Sequence, residues 1–280
     1  MSPDLVVRAM LETPAASKVL RVKQTSLNGT VVATRQGLRS VLAQQLHSSS
    51  DGRGLATAPQ VPAQHQWVTS GDTTLNGHAY IGAIKIRGNL VATALRSARG
   101  RPHTDIRCDC CGNPEYLGHT LQMCPRTHAS SIARHNKIVD LVMSGVERIG
   151  YGIRPEPAIP TPAGIRKTDL VLACDGDLTI LDVTIVADNA DLDKAHHDKQ
   201  VYYDVPAIRE WAQSCYKPRH IAFEALAMNW RGLLASRSAA TLRRLGLSAQ
   251  FLSLASAVAL EQTTWIVNHF RHSTYTIRSR

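Results

Sequence analysis

No stretch of this 280-residue chain approaches the roughly 20 consecutive apolar residues that a membrane-crossing helix needs. The opening residues, MSPDLVVRAMLETP, include acidic side chains and lack the apolar block of a secretory leader. No internal repeat recurs, which argues against a solenoid or a propeller. These absences leave an intracellular globular protein as the expectation. A hydrophobic content of 44% supplies enough apolar side chains for a core, and the length suits one large or two modest domains.

Acidic residues are scarce in the first third, where residues 1–100 carry 4 Asp/Glu against 11 Lys/Arg. Most of the formal charge of +10 therefore arises there. A surplus of this size favours a polyanionic partner such as nucleic acid, with a solvated basic surface as the plainer reading. The acidic residues concentrate elsewhere, ten of the 22 lying between positions 169 and 210. A divalent-cation site beside a nucleic-acid groove would have this pattern, and so would an ordinary solvated face.

Along the chain, SSSDGRGLATAPQVPAQ (48–64) has no apolar period and reads as a loop or linker, with a boundary near residue 65. LNGHAYIGAIKIRGN and LVATALRSARGRP read as two helical pieces, and residues 129–149 as a third helix that opens the last domain. GYGIRPEPAIPTPAG then breaks the chain. Residues 167–187 suggest two strands, 189–204 a helix, the segment from His220 another strand, and 233–270 two or three helices. The expected organisation is a poorly defined segment over 1–64, a basic helical linker over 65–104, a cysteine-rich module over 105–128 and a mixed domain over 129–280. The fold class is α+β, a small mixed sheet flanked by helices.

Six cysteines, four of them between 108 and 124, suggest metal ligation in a reducing compartment rather than a disulfide framework. Cys108, Cys111, His119 and Cys124 have the Cys-x2-Cys-x7-His-x4-Cys spacing of a zinc knuckle: two thiols share a metal from one turn, and the His–Cys pair closes a tetrahedron. Gly112 and Gly118 supply permissive backbone for so small a loop. His128 could replace His119 as the fourth ligand, and Cys110 is a spare thiol. Four protein ligands leave no open position for a catalytic water, so the zinc is structural.

In KTDLVLACDGDLTILDVT (167–184), Asp175-Gly176 is a dipeptide suited to a two-residue hairpin turn. Counting outward from it opposes Asp169 to Asp182, with Cβ atoms about 4.5–5.5 Å apart, and Lys167 to Thr184 on the same face. The other residues make both faces apolar, as in the middle of a covered sheet. Two opposed carboxylates there must share a proton or a cation, and their oxygens suit Mg²⁺ or Mn²⁺. Downstream, Leu192, Ala195, His196, Lys199 and Tyr203 share one helical stripe. Lys199 either snorkels outward or serves the carboxylate site, orienting water or offsetting phosphate charge.

Taken together, these motifs resemble the C-terminal region of site-specific non-LTR retrotransposon Pol polyproteins, the type that inserts into ribosomal RNA genes and carries a restriction-like endonuclease. The resemblance runs from about Trp67 onward through LNGHAYIGAIKIRGN, the cysteine block, KTDLVLACDGDLTILDVTIV, AHHDKQVYY and NWRGLLASRSAATLRRLGLS. It implies a PD-(D/E)xK nuclease core with Asp169 and Asp182 as Mg²⁺ ligands, a displaced catalytic Lys199 followed by Tyr203, and nucleic-acid contacts at Lys167, Arg134 and His135. It also implies a structural Zn²⁺ at Cys108, Cys111, His119 and Cys124, target DNA and element RNA as partners, and nuclear localisation. Two departures stand out: Thr168 replaces the usual proline, and Thr184 stands where ordinary members have lysine. The parent's reverse transcriptase would need an adjacent Asp-Asp pair, which this chain lacks. The expectation is a fragment, a truncated copy or a separately read endonuclease portion. A nucleic-acid-binding protein with a decayed nuclease core is the competing reading.

Overall fold

The computed structural model describes residues 25–27, 30–32, 34–48, 52–69 and 74–278. The chain divides into two compact units, Met1–Ser50 and Asp51–Arg280. In the first, strands β1 (Thr25–Leu27) and β2 (Thr30–Val32) pair antiparallel and helix α1 (Arg35–Ser48) follows. The Thr34 hydroxyl accepts the Gly37 amide at 3.0 Å, satisfying one of the donors left over at the start of α1.

The second unit begins with three short 3₁₀ turns between Arg53 and His65, where a linker was expected. Leu55, Val61 and Gln64 are buried. The Gln64 side chain accepts the Leu234 amide at 2.7 Å and donates to the Ala58 carbonyl at 3.2 Å, and Asn229 reaches the Gly54 carbonyl. A segment without apolar period is thus fixed by side chains that satisfy backbone groups far away in sequence. Helix α2 (Gly77–Arg87) begins at Asn76, whose side chain accepts the Ala79 amide at 2.9 Å. The second expected helix shrinks to one turn, Ala94–Ser97.

Helix α3 (His128–Glu147) leads into a four-stranded sheet. Its strands are β3 (Gly152–Pro155), β6 (Leu170–Cys174), β7 (Asp177–Val186) and β8 (His220–Asn229), in the order β3-β6-β7-β8. The first three pair antiparallel and β7 pairs β8 in parallel, so a crossover must connect them. Helices α4 (Leu192–Tyr203) and α5 (Pro206–Tyr216) make that crossover. The stretch read as a chain break holds β3 and β4 (Ala158–Thr161), the latter paired to β5 (Gly164–Lys167) in a separate ribbon. Pro155 and Pro160 fit because they lie on edge strands, where a missing N–H leaves no partner unsatisfied.

Both faces of the hairpin are covered, as its unbroken apolar text requires. On one side Leu170, Leu172, Leu181 and Leu226 pack with Ile138, Val142 and Val146 of α3, and with residues of α6 (Ser236–Arg244) and α7 (Ala249–Arg278). On the other, Val171, Leu178, Ile180 and Phe223 pack with Tyr203, Ile208 and Ala212. Each such fully buried aliphatic side chain contributes about 1.5–3 kcal/mol. Helix α7 also packs Ala257, Leu260 and Ile266 against Trp67, Ile86 and Trp230, so it ties the helical region before the knuckle to the sheet domain. Among the described residues no helix is long and apolar enough to cross a membrane.

Candidate functional site

Cys108 and Cys111 come from one tight loop. The Cys108 amide donates to Asn113 and the Gly112 amide to Cys108, while Gly112 sits at φ 72°, a conformation that favours glycine. Gly118, read as equally permissive, has an ordinary helical conformation and instead makes room for the Tyr116 ring. His119 opens a single π-helical turn, His119–Met123, and Cys124 follows it. The ligand atoms of Cys108, Cys111, His119 and Cys124 all lie within 4.8 Å of one another. The Cys108 and Cys124 sulfurs are 3.9 Å apart, and Cys111 Sγ lies 3.4 Å from His119 Nε2. A tetrahedral zinc ion would set these edges at about 3.8 and 3.6 Å, so the cluster is shaped for one.

Burial pushes the Cys124 thiol up to about 12, so a thiolate there needs a cation to be stable. His119 is buried and joins the cluster, whereas His128 and Cys110 are exposed and stand outside it. The centre is anchored to α7: Phe270 packs against Cys108 and Cys124, and Arg126 covers the Phe270 ring while pairing with Asp109 at 3.3 Å.

The second constellation lies at the other end of the hairpin from its turn. Asp175 and Gly176 have φ of 49° and 79°, the paired positive values of a type I′ turn. The register runs from Cys174 opposite Asp177 to Leu170 opposite Leu181. One further step brings Asp169 level with Asp182, as counted from the sequence. There the Val183 amide donates to Asp169 Oδ2 at 2.6 Å, and the Thr168 hydroxyl donates to the Leu181 carbonyl at 2.9 Å. A proline at 168 could not make that last bond.

Asp182 is buried, with 4% of its surface exposed. Its Oδ1 accepts the Tyr203 hydroxyl at 2.8 Å, and its Oδ2 faces the Lys199 ammonium at 2.9 Å as an ion pair without an aligned hydrogen bond. Burial raises the Asp182 carboxyl above its ordinary range, Asp169 adds to the rise and Lys199 opposes it. Burial likewise raises the Tyr203 hydroxyl, which stays a neutral donor. From α3, His135 Nε2 reaches the Val183 carbonyl at 3.0 Å and Asp169 Oδ2 at 3.4 Å. Hydrogen bonding to Asp169 raises the imidazole to about 9, so it is cationic at neutral pH.

Asp169, Asp182, Lys199, Tyr203 and His135 are therefore brought together. Lys167 is not: it belongs to β5, opposite Ala158, because the chain leaves the hairpin between Lys167 and Leu170. Its carbonyl lies 2.5 Å from the Tyr203 hydroxyl, which shares one proton between this oxygen and Asp182. Arg134 is buried, donating to Thr263 at 3.2 Å and to the Leu121 carbonyl at 3.4 Å, so it does not project into solvent. Sequence reasoning missed Gln122, which donates to the Ile185 carbonyl at 3.0 Å and joins the knuckle to β7. His196, placed on the helical stripe, is buried as that stripe requires, but its bond to Ser238 at 3.0 Å was not foreseen. Both lie within quoted motifs, whose spacing says nothing of these long-range partners.

A Cys3His centre able to hold zinc, docked on a mixed α+β domain with paired carboxylates, defines the kind of protein this is. Its homologues are the Pol polyproteins of R2 non-LTR retrotransposable elements. The chain is 32% identical over 220 residues, 78% of its length, to the Pol polyprotein of the type-2 element R2DM of Drosophila melanogaster. It is 30% identical over 257 residues, 88% of its length, to that of a type-1 element R2 of Nasonia vitripennis. A Popillia japonica R2 Pol polyprotein is 28% identical over 250 residues. The chain spans 21% and 25% of the first two relatives and 51% of the third. No family profile matches it.

Proposed function

We propose that the chain is the DNA-nicking endonuclease portion of a retrotransposon Pol polyprotein, with its carboxylates on a PD-(D/E)xK-type core. The observation that carries this reading is the buried Asp182, held between Tyr203 and Lys199 and level with Asp169. A stability-driven core would rarely keep two carboxylates and a lysine there.

Oxygen donors alone suit a hard divalent cation, which would share Asp182 with the Lys199 ammonium 2.9 Å from Oδ2. Bound by Asp169 and Asp182, Mg²⁺ or Mn²⁺ would supply a water of lowered pKa as the nucleophile. The residues of the chain do the rest. Tyr203 fixes the rotamer of Asp182, the Val183 amide fixes Asp169, and Lys199 offsets charge that builds up on the scissile phosphate. Thr184 cannot fill that last role, which is why it falls to the lysine on α4.

The partners in this reading are target DNA, specifically a ribosomal RNA gene, and the element's RNA, and the site of action is the nucleus. The nick leaves a 3′-hydroxyl that primes reverse transcription by the parent polyprotein, whose polymerase this chain does not carry. A nicking assay on supercoiled DNA with Mg²⁺, comparing the wild-type chain with Asp182→Ala, tests the mechanism. We expect nicking that the substitution abolishes. Equal cleavage by both proteins would overturn the mechanism, and none by either while DNA is bound would leave a non-catalytic nucleic-acid-binding protein instead.

A further inference from the structure

Beside the carboxylates lies an open pocket of about 410 Å³, formed where the knuckle, the start of α3, the end of β7 and α4 meet. Lys199 and Val183 line it and also belong to the carboxylate site, so an occupant sits one side chain away from Asp182. No carboxylate lines it. Besides Arg134, its polar groups are Gln122, His128, Ser131, His135, Thr184 and Lys199, and Ile132 contributes an apolar surface that is 49% exposed.

Two further features favour an anion. Arg134 lines the pocket while 1% exposed, and its Nε has no hydrogen-bond partner among the described residues, so a buried guanidinium contributes positive potential there. The first turn of α3 has no side-chain cap, because the Thr127 hydroxyl donates back to the Thr120 and Cys124 carbonyls. The His128 amide is taken up by the Pro125 carbonyl, and the dipole of the 20-residue helix adds to that potential. An aliphatic wall beside amide, hydroxyl and cationic groups matches a base with its phosphate, and the volume falls in the range of small-molecule sites.

We propose that this pocket receives a nucleotide of the DNA strand next to the scissile phosphate, with Ile132 against the base and His128 toward its own phosphate, while Lys199 stays with the scissile phosphate at the boundary of the two sites. Gln122 makes the zinc knuckle one wall of the nuclease cleft. The proposal rests on the endonuclease reading for the word scissile, but nucleotide binding stands or falls separately.

Ile132→Glu places a carboxylate in the pocket at an exposed position. Ile149→Glu, two positions beyond α3 at its other end and about 25 Å away at 1.5 Å per residue, is the charge-matched control. We expect Ile132→Glu to lower both nicking with Mg²⁺ and DNA affinity with Ca²⁺ at least tenfold, and Ile149→Glu to change neither. In parallel, an Asp182→Asn chain with Ca²⁺ is photocrosslinked to DNA bearing 5-iodouracil, and the attachment sites are mapped. Crosslinks at 122–135 support the pocket even if no protein nicks, in which case only the endonuclease reading fails. Wild-type affinity and nicking for Ile132→Glu, or crosslinks mapping elsewhere, overturn the proposal and leave that reading intact.

Discussion

The Tyr203 hydroxyl and Asp182 Oδ1 lie 2.8 Å apart although 21 positions separate them in sequence. The bond spans from the last turn of α4 to the centre of β7, and it reaches the Lys167 carbonyl as well. One phenol thus orients a carboxylate and ties down the strand entering the hairpin. Tyr203→Phe keeps the ring and removes the donor. We expect a loss of about 1–2 kcal/mol in folding stability and a roughly tenfold fall in nicking. Thermal denaturation and plasmid nicking on the same preparation measure both, and unchanged nicking would assign the hydroxyl to stability alone.

Lys199 tests the electrostatics of the site. Its removal leaves a buried carboxylate facing no ammonium. Lys199→Ala should lower single-turnover nicking at saturating DNA by roughly a hundredfold, the range for losing one preorganised charge, while DNA affinity changes little. Lys199→Arg should recover part of the rate. A loss confined to affinity would make Lys199 a backbone contact rather than part of the chemistry.

The ligand set of the knuckle is separable by stoichiometry. The wild-type chain should carry one zinc, Cys124→Ser should carry none, and Cys110→Ser and His128→Ala should keep full occupancy. Because metal-binding free energy is folding free energy in such modules, chelation should also lower the melting temperature. Full zinc in Cys124→Ser would move the site elsewhere.

Acid sensitivity should trace in part to His196. Burial lowers this imidazole, with Arg237 adding to the effect and Glu224 and Asp193 opposing it, and its Nδ1 bonds Ser238. The folded state therefore resists a proton that the unfolded chain accepts near its ordinary value of about 6.5. Above that value His196 has no effect on stability. As pH falls through it, stability declines by at most about 1.4 kcal/mol per unit until the folded-state value is passed. Denaturant melts at pH 7.5 and 5.5 should show a smaller acid loss in His196→Gln than in the wild type, and equal losses would assign the sensitivity to other groups.

Much of the site could be read from local text. Asp175-Gly176 sets a turn, the turn sets the register, and the register brings Asp169 level with Asp182 without knowledge of the rest of the fold. The same holds for Lys199, placed by a helical stripe with Leu192, His196 and Tyr203, and for the three cysteine ligands of the knuckle, whose spacing left only the histidine open.

Other features had no local signature. Lys167 left the hairpin because β5 found its partner in β4, a pairing that the prolines concealed. Residues 52–64 became part of the body through Gln64 and Asn229, which satisfy backbone groups some 170 positions away. Arg134 turned inward and His135 toward Asp169 because α3 presents one face to α7 and another to β7. The sequence by itself determined the turn, the register and the carboxylate pair, since each depends on geometry within a few residues, and it narrowed the metal ligands to a set in which the structure chose His119 over His128. Only the tertiary structure decided which cations meet the carboxylates and that the knuckle walls the cleft, because those contacts depend on how whole elements pack against one another.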